Sequence, residues 1–195
     1  MLGETTINTT KDVVETLKQT SSENPLVSVI VPNWNGMRFV GMCLDSLSEL
    51  DFDDYEVIVV DNGSSAADSI RALVEEFPKT HWFSLGENRG LGYAHNLGIG
   101  KALEGGAGSV LILDQDTLPE ADMVSVLAET LASSSASDSR VAAVGARYVG
   151  AQNSHPSFFV QFRRFRFKKC FCVGGGIRQV IPADVLISSG ALFSA

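Results

Sequence analysis

Val110-Leu-Ile-Leu-Asp-Gln-Asp-Thr117 is an apolar run broken off by two carboxylates two positions apart. A short, nearly continuous apolar run has the character of a strand buried on both faces of a parallel sheet. Side chains at i and i+2 of an extended chain point to the same side, so Asp114 and Asp116 should face one direction. Two like charges held close repel unless a cation sits near them. Hard divalent ions such as Mg²⁺ and Mn²⁺ take oxygen ligands, typically one or two carboxylates plus substrate phosphates. Asp-x-Asp is a common pair, and it gains meaning from standing at the end of a buried strand.

Outward from that stretch the pattern repeats. Val27-Ser-Val-Ile-Val31, Val57-Ile-Val-Val60 and Val141-Ala-Ala-Val144 are also short apolar runs and read as strands. Between the runs, Met37, Val40, Cys43, Leu44, Leu47 and Leu50 fall on one helical stripe. Ile70, Leu73, Val74 and Phe77 form another, and Met123, Val126, Leu127 and Leu131 a third. Thr117 with Glu120 resembles a capping box, with Pro119 tolerated in a first helical turn. Ser133 to Ser139 reads as a loop. Strand–helix alternation of this kind predicts an α/β fold, a mostly parallel central sheet flanked by helices. Ligands in such sheets bind outside the carboxyl ends of the strands.

Those ends are polar in each case. The first strand ends in Pro32-Asn-Trp-Asn-Gly36, where the Asn amides offer donors and acceptors, although a turn with a helix cap would also explain them. The second ends in Asp61-Asn-Gly-Ser-Ser65. A turn suffices there too. The functional alternative is a carboxylate accepting the imino N–H of uracil or thymine, a contact that cytosine cannot return. Gly86-Glu-Asn-Arg-Gly-Leu-Gly-Tyr-Ala-His-Asn-Leu-Gly98 combines glycines that let a backbone approach a ligand with Arg89, which can pair with a diphosphate. It is not a dinucleotide fingerprint, because His95 stands where the third glycine should be and the segment lacks strand–turn–helix order. His95 itself reads as an ordinary helix residue.

The 195 residues carry a net charge of −8, with 45% hydrophobic and 19% charged residues. That balance fits a globular domain and argues against a nucleic-acid partner, which would want positive charge for phosphates. No apolar run reaches the roughly 20 residues that cross a bilayer, and no signal pattern opens the chain. Residues 1–25, rich in Thr, Ser and Asn, read as a mobile N-terminal extension. Cys43, Cys170 and Cys172 suggest a reducing, cytoplasmic compartment. Cys170-x-Cys172 has no neighbouring His or third Cys to complete a metal site.

Four pieces then stand in a recognisable order: 27–36, 57–64, Asn88-Arg-Gly90 with Asn96, and Leu113-Asp-Gln-Asp116. In that order and spacing the chain resembles glycosyltransferase family 2, the GT-A (nucleotide-diphospho-sugar transferase) fold. The Asp-Gln-Asp form, with Ile187-Ser-Ser-Gly190 downstream, is similar to bacterial rhamnosyltransferases. The resemblance implies an inverting transfer of a sugar, with L-rhamnose the candidate, from a dTDP- or UDP-linked donor to a glycan or lipid-linked acceptor in cell-surface polysaccharide synthesis. It implies that Pro32, Asn33, Asn35, Asp61, Asn62, Asn88, Arg89, Gly90 and Asp114 bind the nucleotide sugar, with Asp61 on the base and Arg89 near the diphosphate. Asp116 with Asp114 would hold Mg²⁺ or Mn²⁺, and Ser189 and Gly190 would begin the acceptor side.

The family places its general base in a Glu-Asp motif well after the stretch matching Ser189-Gly190. Asp184 is the only acid after Asp138 and precedes that stretch, so it reads as a cap or turn carboxylate. The expectation is therefore a GT-A domain over 26–195 lacking the C-terminal acceptor and base region, with the base beyond Ala195. A second departure is Phe158–Phe171, with six of the eleven Phe residues and five basic ones, Arg163, Arg164, Arg166, Lys168 and Lys169. A solvated hairpin with a buried aromatic face is one reading. Peripheral contact with an anionic membrane or a lipid-linked acceptor, at the inner face of the cell membrane, is the other. Among rival functions, a sugar-nucleotide pyrophosphorylase would need a Gly-rich loop with a basic residue after the first strand, where Pro-Asn-Trp-Asn-Gly stands. Asp114 and Asp116 count against a non-catalytic nucleotide-sugar-binding module for the parent protein, while for this piece, expected to lack the base and to transfer poorly, that reading stays open.

Overall fold

The computed structural model describes residues 27–150, 158–164, 166–171 and 180–195. The N-terminal extension read over 1–25, Phe165 and Cys172 lie outside them. Six strands form one sheet: β1 (Val27–Asn33), β2 (Tyr55–Asp61), β3 (Thr80–Ser84), β4 (Ser109–Ile112), β5 (Ala143–Gly145) and β8 (Ala191–Ser194). Their order is β3-β2-β1-β4-β8-β5. β1 pairs in parallel with β2 and β4, and β2 with β3. β8 runs antiparallel between β4 and β5. The remaining two strands, β6 (Phe158–Arg163) and β7 (Arg166–Phe171), make a separate hairpin.

Among the described residues four helices complete the layers: α1 (Met37–Ser48), α2 (Ala67–Val74), α3 (Leu91–Glu104) and α4 (Met123–Ser137). Alternate residues of the strands supply two cores, as the period of two requires. Val27, Val29, Val31, Val57, Val59, Leu111 and Leu113 pack on one face against α1, α2 and α4. Ile30, Ile58, Val60 and Val110 pack on the other, against Ala94 and Ala102 of α3. Every residue of β1 is buried, which explains why its sequence reads apolar without alternation.

Several local expectations are corrected. The Val141 run enters the sheet only at Ala143–Gly145. The Ser-rich stretch is helical as far as Ser137, with the Ser133 and Ser137 hydroxyls donating back to the carbonyls of Thr130 and Ser133. Such back-bonding lets serine stay in a helix that tertiary packing of Leu127 and Leu131 already holds. Thr117 and Glu120 form no capping box: α4 begins at Met123, and the Thr117 hydroxyl pairs with that of Ser189 at 2.6 Å. A strand and a helix do flank the segment around Gly90, since β3 leads through the six-residue loop 85–90 into α3.

α3 escaped the hydrophobic pattern for a physical reason. Its buried positions are Ala94, Gly98 and Ala102, small residues spaced by four. A Cβ on Gly98 would lie 2.4 Å from the Ile30 Cγ2, so the helix rests almost directly on β1. The stripe facing the sheet is therefore one of absent side chains.

Candidate functional site

Strand order reverses between β1 and β4: β2 and β3 follow on one side, β4 on the other. That is a topological switch point, where loops leaving adjacent strands diverge and open a crevice. A cleft of about 340 Å³ lies there, lined by Pro32, Asn33, Trp34, Asn62, Asn88, Leu91, Asp114, Gln115 and Asp116. Six of the expected site residues thus meet at one place.

The floor is a hydrogen-bonded unit. Asp61 is fully buried, and its carboxylate accepts from the Ser64 backbone N–H at 3.0 Å, the Ser64 hydroxyl and the Asn33 amide at 3.1 Å. It lies under the cleft and does not line it. An ionised carboxylate only accepts, so Asn33 must turn its NH₂ toward Asp61. Asn33 Oδ1 then faces elsewhere, and it is buried with no partner among the described residues. An orphaned buried acceptor costs on the order of 1–3 kcal/mol, which a bound donor would recover.

The two loops beside the floor are tied to each other. Asn62 donates to Asn88 Oδ1 at 3.1 Å and accepts the Arg89 N–H at 2.8 Å, while the Gly90 N–H donates to Asn88 Oδ1 at 2.9 Å. Gly63 makes the approach possible: it has φ +78°, and a Cβ there would lie 2.4 Å from the Glu87 carbonyl carbon. Asn35, with φ 51°, accepts from the Ser65 N–H and hydroxyl and so fixes the loop after β1. Asn35, Arg89 and Gly90 support the site and do not line it. The Arg89 guanidinium pairs with Glu87 at 3.0 Å and lies over the Tyr93 ring at 5.2 Å. Both groups of that ion pair are largely exposed, so little energy holds it.

Asp114 and Asp116 stand on the β4 side. Burial weakens the acidity of Asp114, and the Asp116 charge weakens it further, with His95 pulling the other way. His95 sits in α3 as expected of a helix residue, and burial lowers its basicity against the opposing pull of Asp114. Its Nε2 is buried and has no partner among the described residues. Gln115, between the two acids, accepts the Trp34 N–H at 2.8 Å and so ties the loop after β1 to the turn after β4. Ser189 accepts the Asp114 N–H at 2.9 Å, and Gly190, with φ +83°, donates its N–H to Ile112 at 2.7 Å. The expected acceptor-side pair therefore abuts the acid pair from behind. Asp184, read as a cap or turn carboxylate, instead ties to a strand: it accepts the Phe162 N–H of β6 at 2.6 Å, 22 residues away in sequence.

Trp34, Leu91 and Gln115 line the cleft without having been singled out. Gln115 was legible in principle, standing between two acids that had to be held apart. Trp34 and Leu91 carry no chemistry in one dimension that separates them from core residues.

The family model described as glycosyl transferase family 2 matches residues 28–192. The chain belongs to glycosyltransferase family 2. Its fold is GT-A, with β1, β2 and β4 presenting the cleft. EpsH of Bacillus subtilis is 38% identical over 80 residues, 40% of this chain and 23% of EpsH. The dTDP-rhamnosyl transferase RfbF of Shigella flexneri is 34% identical over 71 residues, 36% of this chain and 23% of RfbF. Among solved structures, the mannosyltransferase PcManGT from Pyrobaculum calidifontis, in complex with GDP-Man and Mn²⁺, superposes with a TM-score of 0.52 and 28% identity. That match covers 63% of this chain and 35% of the mannosyltransferase. The chain thus spans 23% of EpsH and of RfbF and 35% of the mannosyltransferase.

Proposed function

We propose that this family 2 protein is an inverting glycosyltransferase that moves a sugar from a nucleoside-diphosphate donor to a glycan or lipid-linked acceptor in cell-surface polysaccharide synthesis. The carrying observation is the convergence of Asp114 and Asp116 with Pro32, Asn33, Asn62 and Asn88 on one cleft at the switch point. The base lies over Asn33, whose unpartnered Oδ1 accepts a base N–H, and Asp61 holds the Asn33 amide in that orientation. Uracil and thymine carry a ring N–H at the position where cytosine carries an acceptor, so a uridine or thymidine nucleotide is the expected donor. L-Rhamnose is the candidate sugar, supported by the likeness to RfbF.

No group of three or more His, Cys, Asp or Glu residues that could hold a metal ion exists among the described residues. Two uncompensated carboxylates in one cleft nevertheless suit Mg²⁺ or Mn²⁺, which usually take one or two protein carboxylates and complete their shell with phosphate and water. Asp114 and Asp116 would hold the ion, and when bound it would stabilise charge building on the leaving diphosphate. Mn²⁺ in the mannosyltransferase complex supports that reading. The chain's own residues bind and orient: Asn33 fixes the base, Asn62 and Asn88 shape the diphosphate wall, and Arg89 can leave Glu87 for a phosphate at small cost.

Release of nucleoside diphosphate from dTDP-rhamnose and UDP-sugars, with Mn²⁺ and with chelator, tests this. Mn²⁺-dependent release, lost in Asp116→Ala, is the expected result. Binding of the nucleotide with no turnover of any donor, by a protein that includes the expected downstream base, would favour a non-catalytic module.

A further inference from the structure

The β6–β7 hairpin plays no part in the cleft, yet its two faces differ sharply. Cross-strand pairing sets Phe158 opposite Phe171, Val160 opposite Lys169 and Phe162 opposite Phe167. Side chains of paired residues share a face, and the faces alternate along the strand. One face therefore carries Phe158, Val160, Phe162, Phe167 and Phe171. The rings pack in two tilted pairs, Phe158–Phe171 at 5.7 Å and Phe162–Phe167 at 4.8 Å between centroids. Val185 bridges to Val160 and extends that face by one more apolar side chain.

A buried aromatic face was one expectation for this segment. It is corrected: Phe162 is 50% exposed, Phe167 73% and Phe171 45%. The opposite face and the turn carry Arg163, Arg164, Arg166 and Lys168, all exposed, beside half-buried Phe159, Gln161 and Cys170, with no acid anywhere in 158–171. Lys169 shares the aromatic face but holds its ammonium over the Phe158 ring at 4.3 Å. A chain of net charge −8 thus concentrates +5 and an open aromatic surface in fourteen residues.

We infer that this hairpin docks on an anionic lipid bilayer, with Phe162, Phe167 and Phe171 entering the interface and the basic residues meeting headgroup phosphates. Aromatic rings favour the headgroup level of a bilayer, and flanking Lys and Arg add attraction to anionic lipid. Charge decides the partner. A protein surface could accept the rings, but five cations against one neighbouring carboxylate, Asp184, select a surface of dense negative charge. Asp184 and Pro182 anchor the outer edge of β6 through Phe162 N–H and the Gln161 amide, so the hairpin is held to the domain while its aromatic face stays open. No described helix is long and apolar enough to cross a membrane, so attachment through this hairpin would be peripheral. The inference stands independently of what the cleft binds.

The test is co-sedimentation of the chain with phosphatidylglycerol–phosphatidylcholine vesicles and with pure phosphatidylcholine vesicles, at low and high salt. Binding is expected to the anionic vesicles only, and to fall as salt screens the charges. The triple variant Arg163→Gln, Arg164→Gln, Arg166→Gln should partition at least about tenfold more weakly. Phe162→Ser with Phe167→Ser should lose binding that survives moderate salt. In Phe167→Trp, emission should shift to the blue on adding anionic vesicles. Unchanged circular dichroism shows that each variant is folded. No sedimentation at low salt, equal binding to neutral vesicles, or self-association abolished by the Phe variants would each overturn the assignment.

Discussion

The Asp114 backbone N–H donates to the Ser189 hydroxyl at 2.9 Å, across 75 residues of chain, and the same hydroxyl meets Thr117 Oγ1 at 2.6 Å. Ser189 stands in the turn two residues before β8, the strand that runs antiparallel beside β4. The turn carrying both acids is therefore held from behind by the stretch expected to open the acceptor side. The turn at Asp114–Thr117 and the stretch at Ser189 share one set of hydrogen bonds.

Removing that hydroxyl should be felt in binding. Ser189→Ala leaves the half-buried Asp114 amide without its acceptor, a loss of about 1–3 kcal/mol. Chemical denaturation should show the loss, and nucleotide affinity should fall with it because the Asp114–Asp116 turn loosens. Unchanged affinity in a destabilised variant would show that the turn is held by β4 alone.

Gly98→Ala separates packing from the site. The added Cβ would lie 2.4 Å from Ile30 Cγ2, and overpacking of this kind typically costs 1–3 kcal/mol. Thermal unfolding should move to lower temperature, while nucleotide affinity measured well below that transition stays near the parent value.

The comparison of sequence and fold turns on the same glycine. Val27–Val31 and Val57–Val60 were legible as strands because burial on both faces removes polar residues from the sequence. Of α3 only His95 was read as a helix residue, because close packing on β1 selects Ala94, Gly98 and Ala102, which leave no hydrophobic stripe to mark the helix. β3, at the sheet edge, and β8, four residues long, were missed for want of a pattern long enough to show. Asp114 and Asp116 were legible, since two carboxylates closing an apolar strand need an explanation. The burial of Asp61 was not, because it depends on Ser64 and Asn33 closing over it.

Thiol reactivity checks the buried side of α1. Burial pushes the Cys43 thiol up to about 12, helped by the Asp116 charge. A raised thiol stays protonated in mildly alkaline buffer, and only the thiolate alkylates. Iodoacetamide at pH 8 should therefore leave Cys43 unlabelled in the native protein and label it in denaturant, while half-buried Cys170 reacts in both. Peptide mapping that finds Cys43 alkylated as fast as Cys170 would show that α1 does not pack as described.

Base selectivity tests the floor. If Asn33 Oδ1 accepts a base N–H, UDP and dTDP should bind better than CDP, by about tenfold for one such bond. Asn33→Ala should bring the three affinities together. Equal binding of CDP to the parent protein would remove both Asn33 and Asp61 from base reading.

The central claim is that the cleft holds a nucleoside diphosphate through a divalent ion on Asp114 and Asp116. Isothermal titration calorimetry of the chain with UDP and dTDP, in Mn²⁺ and again with chelator, tests it most directly. Measurable binding is predicted in Mn²⁺ and should weaken by an order of magnitude or more, about 1.4 kcal/mol per tenfold, in chelator. Asp116→Asn in Mn²⁺ should weaken binding comparably, because its ligand charge is gone. Equal affinity with and without metal, or in Asp116→Asn, would contradict the assignment of the two acids.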